Sequence, residues 1–276
     1  MKLSILSKYF GNEDVSLPKI AAIGYRRVET TKKEHTELPA REMVRIARDC
    51  GIEIHSCMGW HPGIADADPK VRRDVLAGLK ENLDWAAELG AKVVESFPAW
   101  RGPDQERADA WKRCVASLRK AGEYAAKVGI VIAIEPVMQY ETRLVRTLAE
   151  AVAMAKEIAL DSVKVMGDTH HMHCAERDLP RALRDAGAWL VNFHFSDNDR
   201  LPPGMGQMDL PAIVRALAEV GYEGSVSLSE MARVPDAETA ARVAFHYMTG
   251  LIEASELREQ RLRATGSWNR SASTSR

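Results

Sequence analysis

Short apolar runs alternate along this chain with longer stretches in which apolar residues recur every three or four positions. The short runs lie at 2–7, 25–30, 51–57, 91–97, 130–136, 162–168, 190–196 and 224–230. Several are continuous Val/Ile runs rather than strict alternations, which is how strands covered on both faces read. Helical periodicity fills the intervals, weakly at 16–24 and 37–51, then clearly at 68–90, 108–129, 147–158, 179–187, 209–221 and 236–255. In 68–90 the spacing predicts Val71, Leu76, Leu79, Leu83 and Ala86 on one buried face. In 108–129 it predicts the same of Trp111, Val115, Leu118, Ala121 and Tyr124. Gly90 and Gly129 stand where these helices should end, and Asp209 with Pro211 marks a helix start.

Eight strand–helix units in about 255 residues leave roughly 32 per unit, the repeat of a single closed (β/α)8 barrel. An open doubly wound sheet is disfavoured because no GxGxxG follows the first strand. The expected boundaries are a barrel over 1–255 and an Arg- and Ser-rich, disordered tail over 256–276. The 46% hydrophobic content is enough for a core. With 38 basic and 39 acidic residues the formal net charge is −1, which offers nucleic acid little counterion release. No apolar run reaches the length of a membrane span, and the N-terminal stretch is too short for a signal-peptide core. Cys50, Cys57, Cys114 and Cys174 show no CxxC spacing, so a reduced cytoplasmic interior is expected.

In a barrel, chemistry gathers where strands end. Four successive predicted strands end in a residue able to ligate a metal: Glu135, Asp168, His194 and Glu230. The intervals of 33, 26 and 36 residues are each about one unit, so all four can face one mouth. Three carboxylates and an imidazole make a hard site, suited to one Mn²⁺, Mg²⁺ or Co²⁺ ion rather than a thiolate zinc. Glu141, His171 and Arg200 follow three of these ligands within six residues. Such a site can enolise a ketone and hold the enediolate, with Glu135 and Glu230, from opposite sides, as the acid/base pair. Trp60, His61 and Trp100 are candidates to line the mouth. Gly204 and Gly206 are candidates for phosphate contact, although an ordinary loop and an unphosphorylated ketose or keto-acid are the preferred readings. For His170 and His173, loop packing is preferred to metal binding, and His35, His55 and His246 receive no functional role.

The stretches IEPVMQYET (134–142), GDTHHMHCAERD (167–178), HFSDNDRLPPGMGQMDL (194–210) and GYEGSVSLSE (221–230) resemble the sugar isomerase/epimerase superfamily of xylose-isomerase-like barrels. Within it the chain is most similar to the D-tagatose 3-epimerase and hydroxypyruvate isomerase group, over residues 1–255. The resemblance implies that Glu135, Asp168, His194 and Glu230 hold one divalent ion, typically Mn²⁺, and that Glu141, His171 and Arg200 contact the substrate. It also implies a homo-oligomer, dimer or tetramer. Met138 stands where the family commonly has Asn, and Ala175-Glu176 where two acids are common. The leading expectation is a ketose 3-epimerase. An aldose–ketose or hydroxypyruvate isomerase and a keto-inositol or 3-keto-sugar dehydratase share its enolisation. An endonuclease-IV-like DNA repair enzyme needs a further Asp-x-His pair after His194, which the sequence lacks.

Overall fold

The computed structural model describes residues 1–59, 61–229 and 231–264. Eight parallel strands close into a barrel in chain order: β1 (Lys2–Leu6), β2 (Arg27–Thr30), β3 (Glu53–Cys57), β4 (Val93–Ser96), β5 (Val131–Ile134), β6 (Val163–Asp168), β7 (Leu190–His194) and β8 (Ser225–Leu228). Helices α1 (Glu13–Ile23), α2 (Ala40–Asp49), α3 (Pro69–Leu89), α4 (Arg107–Val128) and α5 (Leu148–Ile158) cover the first five units. They are followed by α6 (Thr169–Ala175), α7 (Leu179–Ala186), α8 (Leu210–Glu219) and α9 (Ala237–Ala264). The (β/α)8 expectation holds, with short α6 as an insertion directly after β6.

The helices start and stop for reasons written in the sequence. Asp68, Thr147, Asp178 and Asp209 each accept a backbone N–H of the first turn, at the N-termini of α3, α5, α7 and α8. Gly90 and Gly129 close α3 and α4 at φ of +75° and +73°, a conformation a side chain resists. Leu79, Leu83 and Ala86 of α3 are buried, as are Val115, Leu118 and Ala121 of α4. The sequence reading overextended both faces. Val71 is exposed and Leu76 half-buried. Half-buried Trp111 and Tyr124 have polar atoms that seek partners on neighbouring helices, Glu157 and Asp84. α9 also runs to Ala264, past the boundary expected at 255, and residues 265–276 lie outside the described residues.

The main core lies between sheet and helices, and inside the barrel Val93, Ala133 and Met166 form a second, small apolar cluster. Side chains two residues apart on a strand share a face. The inner positions immediately above this cluster are therefore Glu95, Glu135 and Asp168.

Candidate active site

The same alternation brings Glu29 and His194 to the inner face. Two register shifts, at Val28/Glu29 and at Val165/Met166, fall just before Glu29 and below Asp168. Such irregularities re-aim side chains near functional sites. Asp168 pairs with His194 across β6 and β7, and the Glu135 amide donates to the Ser96 carbonyl as β5 ends.

Two groups of potential ligand atoms meet at His194. On one side Nδ1 lies 3.7 Å from Glu135 Oε1 and 3.6 Å from Asp168 Oδ2. These separations exceed hydrogen-bond lengths. They approach the roughly 3 to 3.5 Å between donors that share one ion at about 2.1 Å. Two carboxylate oxygens and one imidazole nitrogen fit a hard divalent cation. Glu230, expected as the fourth ligand and a catalytic acid/base, lies outside the described residues, as does Trp60.

Asp168 is fully engaged. Its Oδ1 accepts the His170 amide at 2.7 Å, and its Oδ2 accepts from Arg200 Nη1 at 2.9 Å. Burial alone would raise its pKa, but His194 and the Arg200 charge hold it well below the usual carboxylate range. The carboxylate therefore stays ionised.

On the other side of the ring, Nε2 lies 2.9 Å from Glu29 Oε1 and 2.7 Å from Glu95 Oε1. Asn192 Nδ2 donates to both carboxyls at 3.1 Å, and Ser56 Oγ donates to Glu29 at 2.7 Å. Burial, reinforced by the Glu29 charge, pushes Glu95 well above the ordinary range. Burial acts the same way on Glu29, but the His194 charge and the surrounding hydrogen bonds overcome it and hold Glu29 well below. Sequence reasoning missed these residues. Glu29 and Glu95 stand inside strands the sequence does show, but only barrel closure reveals that they point at His194.

Glu135, Glu141, Asp168, His171, His194 and Arg200, all singled out in the sequence, line one cavity of about 490 Å³. His171 is held 3.5 Å from both the Met138 amide and Arg200 Nη2. Burial, with the Arg200 charge, takes its pKa down to about 4 against the opposing pull of Asp168, so it is neutral near pH 7. Arg200 sits at φ +57°, a left-handed conformation unusual for a side-chain-bearing residue. Its loop is organised by buried Asp197, which accepts the amides of Asn198, Gly204, Gly206 and Met208. The Gly204 and Gly206 amides are thus committed within the protein, in keeping with an ordinary loop.

Lys32 and His35 also line the cavity, although His35 received no role from the sequence. Trp100 does not: Phe97 takes that wall, and the Trp100 ring packs over Gly102. His61 is buried beside a neighbouring cavity. The His170 ring packs edge-on against His171, and His173 is exposed.

Residues 17–249 match the family described as Xylose isomerase-like TIM barrel. The 3-dehydro-D-guloside 4-epimerase of Escherichia coli is 30% identical over 215 residues, 73% of this chain and 80% of that protein. The D-psicose 3-epimerase of Agrobacterium fabrum is 29% identical over 220 residues, 76% of each chain. Among solved structures, the apo 3-keto-D-glucoside 4-epimerase from E. coli superposes with a TM-score of 0.82 at 26% identity, covering 91% of this chain and 99% of that one. The first two of these relatives are carbohydrate epimerases. Fold, site geometry and sequence match together place this chain in the xylose isomerase-like TIM barrel family.

Proposed function

We propose that the chain is a divalent-metal-dependent sugar epimerase, acting on a ketose at C3 through a cis-enediolate. The observation that carries this reading is the convergence of Glu135 Oε1, Asp168 Oδ2 and His194 Nδ1 on one point at the floor of the cavity. The fully buried, oxygen-rich donor set supports Mn²⁺ over a softer ion. A cation held there supplies Lewis-acid polarisation of the ketone and its neighbouring hydroxyl.

The chain's own residues do the rest. Glu135, just past β5, exchanges the C3 proton, with Glu230 expected from the sequence as its partner. Arg200 and neutral His171 stabilise the negative oxygen that develops. Glu141, at the rim, binds a distal hydroxyl. The four cysteines, all unpaired, support a reducing cytoplasmic setting.

The 30% identical relative is named for a 4-epimerase, which favours one second reading: a 3-keto-sugar epimerised at C4. The chemistry is the same, because that proton is also adjacent to a ketone. Incubation with a panel of ketoses and 3-keto-sugars in deuterated water distinguishes the two. The expected result is deuterium at C3 with inverted configuration; label at C4 selects the second reading. Label only at C1 selects an aldose–ketose isomerase, and loss of water in the product mass selects a dehydratase.

A further inference from the structure

Barrel interiors are ordinarily filled with bulky branched apolar residues. Here the interior around His194 also holds Glu29, Glu95, Asn192 and Ser56, each fully or almost fully buried. Burying carboxylates is costly, and well-packed apolar residues in their place are often at least as stable. Fold stability therefore does not account for these residues, whereas their geometry around His194 does.

The distances separate the two faces of the imidazole. At 2.7 and 2.9 Å the contacts from Nε2 to Glu95 and Glu29 leave no room for an ion between them. At 3.6 and 3.7 Å the contacts from Nδ1 to Asp168 and Glu135 are too long for hydrogen bonds and suit a shared cation. Nε2 faces Glu29 Oε1 at 2.9 Å and Glu95 Oε1 at 2.7 Å, so a hydrogen carried on this nitrogen points at acceptor oxygens. Neither contact has hydrogen-bond geometry at Nε2, so the two carboxyls hold the ring by charge and close approach. Asn192 Nδ2, bonded to both carboxyls, fixes their spacing.

We propose that Glu29 and Glu95, tied together by Asn192, are positioning residues that hold His194 by Nε2 and thereby present Nδ1 as the donor to the cation. This rests on the metal-site reading above, and it adds that the ligand's orientation is set from inside the barrel. Carboxylate partners of this kind fix the tautomer and raise the basicity of a ligating imidazole, and their loss weakens metal binding by about 10- to 100-fold.

The test compares the full-length protein with Glu29→Gln, Glu95→Gln and Asn192→Ser. Zn²⁺ affinity is measured by calorimetry, and the His194 ring nitrogens are followed by long-range ¹H–¹⁵N correlation. The expected wild-type spectrum shows a slowly exchanging Nε2 proton in metal-free protein and Zn²⁺ on Nδ1. The expected variants bind Zn²⁺ about 10- to 100-fold more weakly and exchange that proton faster. Metal-free thermal unfolding of each variant separates loss of the fold from loss of the ring's orientation. Unchanged affinity together with an unchanged His194 spectrum overturns the proposal. Should one variant fail to fold, the other two carry the comparison. If the wild type binds no Zn²⁺, the metal-site reading fails, and the Nε2 exchange rate of the metal-free variants still decides whether the two carboxyls hold the ring.

Discussion

Asp168 shows how much one side chain does here: it caps α6 through His170, anchors Arg200, and offers an oxygen toward the point that Glu135 and His194 also face. Replacing Glu135 with Gln keeps the volume but removes both the charge and the proposed base. Turnover should fall about 10²- to 10⁴-fold, and bound metal, measured by emission spectroscopy, should fall with it. Normal turnover in this variant would remove Glu135 from the chemistry. Two histidines away from the site make a separate prediction. Burial, with the Arg27 charge, lowers the His55 pKa to about 4; burial, with Lys32, lowers that of His61 to about 3. Between pH 6.5 and those values the unfolded chain takes up protons that the folded chain refuses, so stability falls as pH falls through this window and not above it. For His55 the loss is about 1.4 kcal/mol per pH unit, on the order of 3 kcal/mol in all. Urea unfolding at pH 7.5 and 5.5 should show His55→Gln losing about 1 kcal/mol less than the wild type over that interval. Equal losses would count against this account.

Among the elements, the loop after β7 is where local sequence does the most. Asp197 gathers four amides and so holds the 198–208 segment and, through it, the strained Arg200. Asp197→Ala should destabilise the protein by about 2 kcal/mol and raise KM more than it lowers kcat, because Arg200 loses its position while the proposed metal ligands keep theirs. Steady-state kinetics beside thermal unfolding checks both parts. The helices were legible because their apolar spacing and caps are local signals. The strands were legible as Val/Ile runs, but not the face each residue takes. Trp111 and Tyr124 fit the apolar stripe of α4 by spacing but are only half-buried, because each carries a polar atom that found a partner on a neighbouring helix.

At the scale of the molecule, closure turns separate strand ends into one cavity. Purified protein should carry about one divalent ion per chain. Exhaustive chelation should abolish activity and lower the melting temperature, as expected for a ligand that binds only the folded state; full activity after chelation would refute the metal reading. The order of the strands and of the longer helices, the caps at Gly90, Gly129 and Asp209, and the proposed ligands Glu135, Asp168 and His194 were readable along the chain. Each depends on periodicity or on spacing of about one unit, and both survive in one dimension. What the tertiary structure decided was the interior. Glu29 and Glu95 are 66 positions apart, and 99 positions separate Glu95 from His194. Only β2, β4 and β7 facing a common axis brings them within hydrogen-bonding distance of one ring. The same closure assigns Lys32 and His35 to the mouth and sends Trp100 away from it. Inward or outward orientation follows from register, and register is set only when neighbouring strands pair around the whole barrel.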